Sequence, residues 1–224
     1  MNVLKYLYAM QDLKYKKFHQ KLMPTVSENL VIGVRVPQLR IFAREFAKTE
    51  EAKSFLKKLP HKYYEENNLH AFVLEQIKDY DVLIKQTERF LPYIDNWATC
   101  DMFLPPAFKN NKDKLILKIK KWIASDKTYT VRYAIKLLMS LYLDEDFKEE
   151  YPEMVAAVKS DEYYVNMMIA WYFATAFDKR YNEVIGFITD NKLDLWTHNK
   201  AIQKAVESRR IPQKTKIYLK TLKR

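Results

Sequence analysis

A chain of 224 residues is long enough to bury a real core as one domain or one short array, yet only Gly33 and Gly186 are glycines. No Asn-Gly, Asp-Gly or Gly-Gly pair occurs, so the turn chemistry of sheets is missing, as are glycine-rich phosphate-cradling loops. A formal charge of +11 favours a polyanionic partner, nucleic acid ahead of an anionic membrane surface, over a lysine excess that merely keeps the chain in solution.

Apolar residues recur at helical spacing nearly throughout. Residues 1–10 hold no apolar run long enough for a signal peptide, and later apolar stretches are broken by charge well short of a membrane span. Over residues 3–23, Leu4, Tyr8, Leu13, Phe18 and Leu22 keep the helical rhythm loosely. A loop follows over 24–37, containing Gly33. Beyond it, helices of roughly 10 to 17 residues are expected between breakers at Pro60, Asp79, Pro92, Pro105 and Pro106, Asn110 and Asn111, Ser125 and Asp126, Asp144, Ser160 and Asp161, Asp190 and Asn191, and Pro212. Ser160 or Asp161 suits the N-cap of a helix over 162–177. In the helix from Lys112, Leu115, Ile116, Ile119, Trp122 and Ile123 make the buried stripe, with Lys114, Lys118 and Lys121 on the outward face.

About a dozen short helices with short connections and no linker predict an all-α fold, read as one domain over 1–224. A plain helical bundle is one solution. An α-solenoid fits better, because the helices are many, short and evenly spaced, and its concave face suits a long ligand. No strict sequence period is visible, so the repeats are degenerate.

One cysteine, Cys100, excludes an internal disulfide, and with four scattered histidines no zinc-ligand spacing is present. A reducing, cytoplasmic setting is expected, and Cys100 reads as a small core residue. No nucleophile-elbow or His-Glu-x-x-His motif occurs. Three segments stand out instead: 94–101, 122–134 and 167–172, each placing one rare or charged residue in a mostly apolar helix. If a helix begins near Asn96, Trp97 and Asp101 share its face at i, i+4. Each of these residues has a plain reading: Trp97 and Trp171 as core, Asp101 as a cap, Arg132 as its ion-pair partner. Together they offer aromatic walls, a carboxylate and a cation.

The chain resembles the HEAT-like-repeat DNA glycosylases of the AlkD type, the DNA alkylation repair proteins, over nearly its whole length. The anchors are residues 33–37, Trp97-x-x-x-Asp101, residues 122–126 with Arg132 after them, Ile169-Ala170-Trp171, and residues 199–202. The resemblance implies a curved array with a basic concave face, acting as a monomer on double-stranded DNA that contains alkylated bases, with no cofactor, metal, membrane or obligate protein partner. It places the catalytic carboxylate on Asp101, DNA-contacting tryptophans on Trp97 and Trp171, and an arginine that holds backbone near the lesion on Arg132. The Asp101–Arg132 connection is a few residues shorter than in the best-known member. Arg35, Lys200, Lys204, Arg209 and Arg210 are candidates for binding DNA backbone without reading its sequence. A relative that binds damaged or branched DNA without cutting is the alternative function, and a scaffold for an acidic protein is a third.

Overall fold

The computed structural model describes residues 2–224, and among them every regular element is helical; one isolated bridge joins Gln11 to Val34. The chain divides into two compact units, 1–112 and 113–224. The first holds α1 (Val3–Ala9), α2 (Leu13–His19), α3 (Val36–Phe46), α4 (Glu50–Lys57), α5 (Tyr64–Leu74), α6 (Tyr80–Phe90), α7 (Trp97–Met102) and α8 (Pro106–Lys109). The boundary falls after the first residue of α9 (Lys112–Trp122), and the second unit holds the rest of α9 with α10 (Thr128–Leu141), α11 (Glu150–Ala156), α12 (Tyr163–Lys179), α13 (Tyr181–Val184), α14 (Gly186–Thr189), α15 (Leu195–Glu207) and α16 (Gln213–Thr221). Every breaker named from the sequence lies between helices or in the first or last turn of one.

Within each unit the packing is repeat-like. In the first, α5 lies between α3 and α7; in the second, α12 lies between α10 and α15. These central helices are buried on nearly all sides, whereas α4, α6 and α9 each show one buried stripe and one solvated face. In α12 the buried residues from Val165 to Phe173 are all apolar, whereas α5 also buries Glu65, Asn67, Asn68 and His70. Such neighbour-on-neighbour stacking of helix pairs is the packing of an α-solenoid.

Two local readings are corrected. Ser160 and Asp161 do not cap α12; its N-cap is Glu162, while the Ser160 hydroxyl accepts the Glu162 N–H at 3.1 Å and makes a turn before the helix. The loose apolar rhythm over residues 3–23 does not mark a buried face. Leu7 and Met23 are buried, while Tyr8, Leu13, Phe18 and Leu22 are exposed. The chain breaks at Met10 and Gln11, where Val34 bridges, so α1 and α2 do not share one helical phase. In α9 the stripe is narrower than expected: Leu115, Ile119 and Trp122 are buried, and Ile116 and Ile123 are half-buried.

The loop at Gly33 ties three elements together. Gly33 has φ +100°, which side chains rarely adopt, and its carbonyl accepts the Asp12 N–H at 2.8 Å. A Cβ at this position meets Lys16 Cβ at 2.6 Å and the Asp12 carbonyl at 2.9 Å. The backbone N–H groups of Ile32, Gly33 and Val34 all donate to the Glu65 carboxylate, at 2.8, 2.6 and 3.2 Å. Gly33→Ala is therefore expected to lower stability by about 1–3 kcal/mol, read as a lower urea midpoint at unchanged slope.

A second buried polar contact lies between α5 and the turn before it. His61 Nε2 and His70 Nδ1 are 2.8 Å apart, and the His70 ring stacks on Phe90 with centroids 4.2 Å apart. Burial pushes the His61 ring down to about 4; burial, helped by His61 and Arg89, pushes His70 down to about 2, from an ordinary 6.5. Lowered pKa values mean that the folded chain holds these rings neutral. Their stabilisation is full above pH 6.5 and falls as the unfolded chain takes up protons that the fold excludes, by about 1.4 kcal/mol per pH unit for each ring down to its folded pKa. Urea midpoints measured from pH 7 to pH 5 should fall, and should fall less in His70→Leu.

Candidate functional site

Helix α7 is six residues long, far too short to hold its shape alone, so its neighbours set its place. Asn96 is fully buried at its N-cap, where its side chain accepts the Thr99 N–H at 2.8 Å and donates to Thr99 Oγ1 at 3.1 Å. Thr99 Oγ1 donates in turn to Asn68 Oδ1 of α5 at 2.6 Å. The other end of α7 is fastened by an ion pair between Arg40 of α3 and Glu75 at the end of α5. Arg40 also donates to the Met102 carbonyl at 3.0 Å and lies 3.9 Å above the Phe72 ring, and Glu75 accepts the Leu104 N–H at 2.8 Å. Both ends of the helix are thereby tied to α5.

Between these ties, Ala98, Thr99 and Cys100 face the core, while Trp97 and Asp101 lie half-buried on the open side. The i, i+4 relation read from the sequence is present. Trp97 packs against Met23, Val26, Val31 and Tyr64, and its indole Nε1 donates to the Leu22 carbonyl at 3.0 Å. The ring is pinned at one edge and open at another, an arrangement suited to an aromatic wall.

The second unit carries Arg132 on α10 and Trp171 on α12. The Arg132 side chain is only 1 % exposed; its Nη1 donates to the Tyr164 carbonyl at 2.6 Å, and its guanidinium lies 5.5 Å from the Trp171 ring and 5.9 Å from the Tyr164 ring. Lys136, one turn on, is buried beside it with Nζ 5.5 Å from the Tyr133 ring. Along α12, the half-buried or exposed residues Tyr164, Trp171, Thr175 and Asp178 are spaced by seven, four and three positions, which is one helix face. Trp171 opens onto a cavity that Thr175, Asp178, Lys204, Ser208 and Arg210 also line.

The surface cations differ in what they already touch. Arg35 is 54 % exposed, but it pairs with Asp12 at 2.9 Å and covers the Tyr15 ring at 5.0 Å. Arg35 lowers the Asp12 carboxyl, behind the larger effect of the Tyr15 N–H. Lys200 donates to Gln203 at 2.8 Å and lies 5.4 Å from the Trp196 ring. Lys204 pairs with Glu207 at 2.8 Å and holds that carboxyl below its usual range. Arg209 and Arg210 are exposed. Trp97 and Asp101 thus stand together in one unit, as do Arg132 and Trp171 in the other, with Lys204 and Arg210 beside Trp171.

Sequence reasoning passed over Arg40, Glu75, Asn68, Tyr164 and Lys136. Only Lys136 left a local signal, one helical turn after Arg132 inside an otherwise apolar helix.

Among the described residues no helix is long and apolar enough to cross a membrane. A comparison with curated proteins finds no match. The sequence model of the DNA alkylation repair enzyme family matches residues 3–205, which include α7, α10, α12 and all of the side chains placed above except Glu207, Ser208, Arg209 and Arg210. This chain belongs to the DNA alkylation repair enzyme family.

Proposed function

We propose that the protein is a DNA glycosylase that removes positively charged N3- or N7-alkylated purines from duplex DNA. The observation that carries this reading is a carboxylate, Asp101, one helical turn from a half-open tryptophan on a short helix tied down at both ends, in a chain of this family. An alkylated purine of this kind already carries the charge that makes it a good leaving group, and it departs as a neutral base. No strong general acid is needed. The sugar becomes oxocarbenium-like as the bond breaks, and Asp101 stabilises that cation and orients the attacking water.

Trp97, one turn from Asp101, lies against deoxyribose, where its ring face favours positive charge, and Trp171 is a DNA-contacting ring of the other unit. Arg132 is a positioning residue in this scheme: buried, it steadies Trp171 and Tyr164. Direct contact with phosphate falls to the cations that solvent reaches, Lys204 and Arg210 beside Trp171, with Arg35, Lys200 and Arg209 adding backbone attraction. Selectivity comes from the lability of the charged base, so neutral lesions are poor substrates. The chain works as a monomer on DNA alone, in the cytoplasm.

The test is release of 7-methylguanine and 3-methyladenine from methylated duplex DNA. Release by the wild-type chain supports the reading. Salt-sensitive binding without release assigns the chain to the non-catalytic branch of the alternatives.

A further inference from the structure

The helices at the N-terminal end leave large apolar side chains in solvent. Phe18 is 64 % exposed and Leu22 48 % exposed, one turn apart at the end of α2 and in the 3-10 turn that continues it. Lys14, Lys17 and Lys21 lie within four positions of Phe18 along the chain and are themselves exposed. No acidic residue lies between Asp12 and Glu28, and Asp12 is occupied by Arg35. Elsewhere lysines find carboxylates: Lys48 with Glu45, Lys120 with Glu150, Lys159 with Asp194, Lys179 with Asp144. Lys14, Lys17 and Lys21 have no such partner among the described residues. Their charge is left for something outside the chain.

The patch has a fixed address. The Leu22 carbonyl accepts the indole N–H of Trp97 at 3.0 Å, so the exposed Leu22 side chain belongs to the residue that pins the candidate-site tryptophan. The next residue, Met23, anchors this segment in the core beneath Trp97. An apolar pair flanked by unpaired lysines complements a DNA groove, whose walls are deoxyribose and whose rims are phosphate.

We infer that the Phe18–Leu22 patch docks on duplex DNA beside Trp97, with Phe18 and Leu22 against the sugar wall of the groove and Lys14, Lys17 and Lys21 on the flanking phosphates. The inference rests on DNA being the ligand of the Trp97 and Asp101 site and is independent of base release. A lipid surface fits less well, because the apolar area is two side chains on a two-turn segment and lacks the long apolar face of an interfacial helix.

The test uses the full chain, a fluorescein-labelled duplex and anisotropy titrations at several salt concentrations. Lys14→Gln, Lys17→Gln and Lys21→Gln combined should weaken binding at least about tenfold and flatten the slope of log affinity against log salt by about two to three. Phe18→Ser with Leu22→Ser should weaken binding about fivefold or more and leave that slope unchanged, because no phosphate contact is removed. All five side chains are exposed, and unchanged thermal midpoints verify the fold. Wild-type-like affinity in both variants, from a chain that itself binds DNA, overturns the inference and leaves the glycosylase reading intact. Binding without base release overturns the glycosylase reading instead, and the variant titrations still decide the patch. Co-sedimentation with phosphatidylglycerol vesicles that both variants lose, while their DNA affinity stays at the wild-type level, assigns the patch to lipid and overturns it as well.

Discussion

Asp101→Asn is expected to cut base release by about a hundredfold to a thousandfold while changing affinity for duplex DNA little. Asparagine keeps the shape of aspartate, and the ties that hold α7 run through Asn96, Thr99, Met102 and Leu104, so the helix keeps its place. What disappears is the negative charge offered to the sugar cation. That charge counts only when the glycosidic bond is breaking, so the loss falls on kcat, with KM nearly unchanged. Chromatography of released base, beside anisotropy on the same duplex, separates the two effects. Release by the variant at the wild-type rate would remove Asp101 from the chemistry.

Glu65→Ala is expected to be the most damaging single change to stability, by about 3–5 kcal/mol. Glu65 is fully buried at the start of α5, and its carboxylate is the acceptor for three successive backbone N–H groups. Removing it strands those donors where water does not replace it, and it frees the Gly33 loop from α5. Glu65→Gln keeps one acceptor oxygen and should lose less. Chemical denaturation of both variants checks the order. A loss below about 1 kcal/mol in Glu65→Ala would mean that water enters and takes over the carboxylate's bonds.

The class of fold was legible because helical periodicity and punctuation are local properties. Pro60, Asp79 and Pro212 end or cap helices for reasons contained in a few neighbouring residues. The pairing of Trp97 with Asp101 was legible for the same reason, since four positions along a helix fix a shared face. Glu65 was not, because a buried carboxylate at a helix start has the same letters around it as a solvated one. Its partners are more than thirty positions away. Arg40 and Glu75 are likewise distant in sequence and meet only through the packing of α3 on α5. The apolar rhythm of residues 3–23 misled because the break at Met10 and Gln11 resets the helical phase, and the bridge to Val34 that makes the break is a tertiary contact. The burial of Arg132 was equally hidden: the sequence shows a cation in an apolar helix but not that Tyr164 and Trp171 cover it.

The fastening of α7 at both ends bears on how a flexible ligand is met. A carboxylate on a loose six-residue helix would have to be ordered each time DNA arrived, and its dipoles would have to turn as the sugar acquired charge. With Asn68 at one end and the Arg40–Glu75 pair at the other, that ordering is completed when the chain folds. In the proposed glycosylase, the reorganisation energy of the Asp101 site is thereby shifted from the encounter to biosynthesis. Loosening either tie should slow bond breaking through a broader spread of Asp101 orientations, even in variants that bind DNA and melt as the parent does.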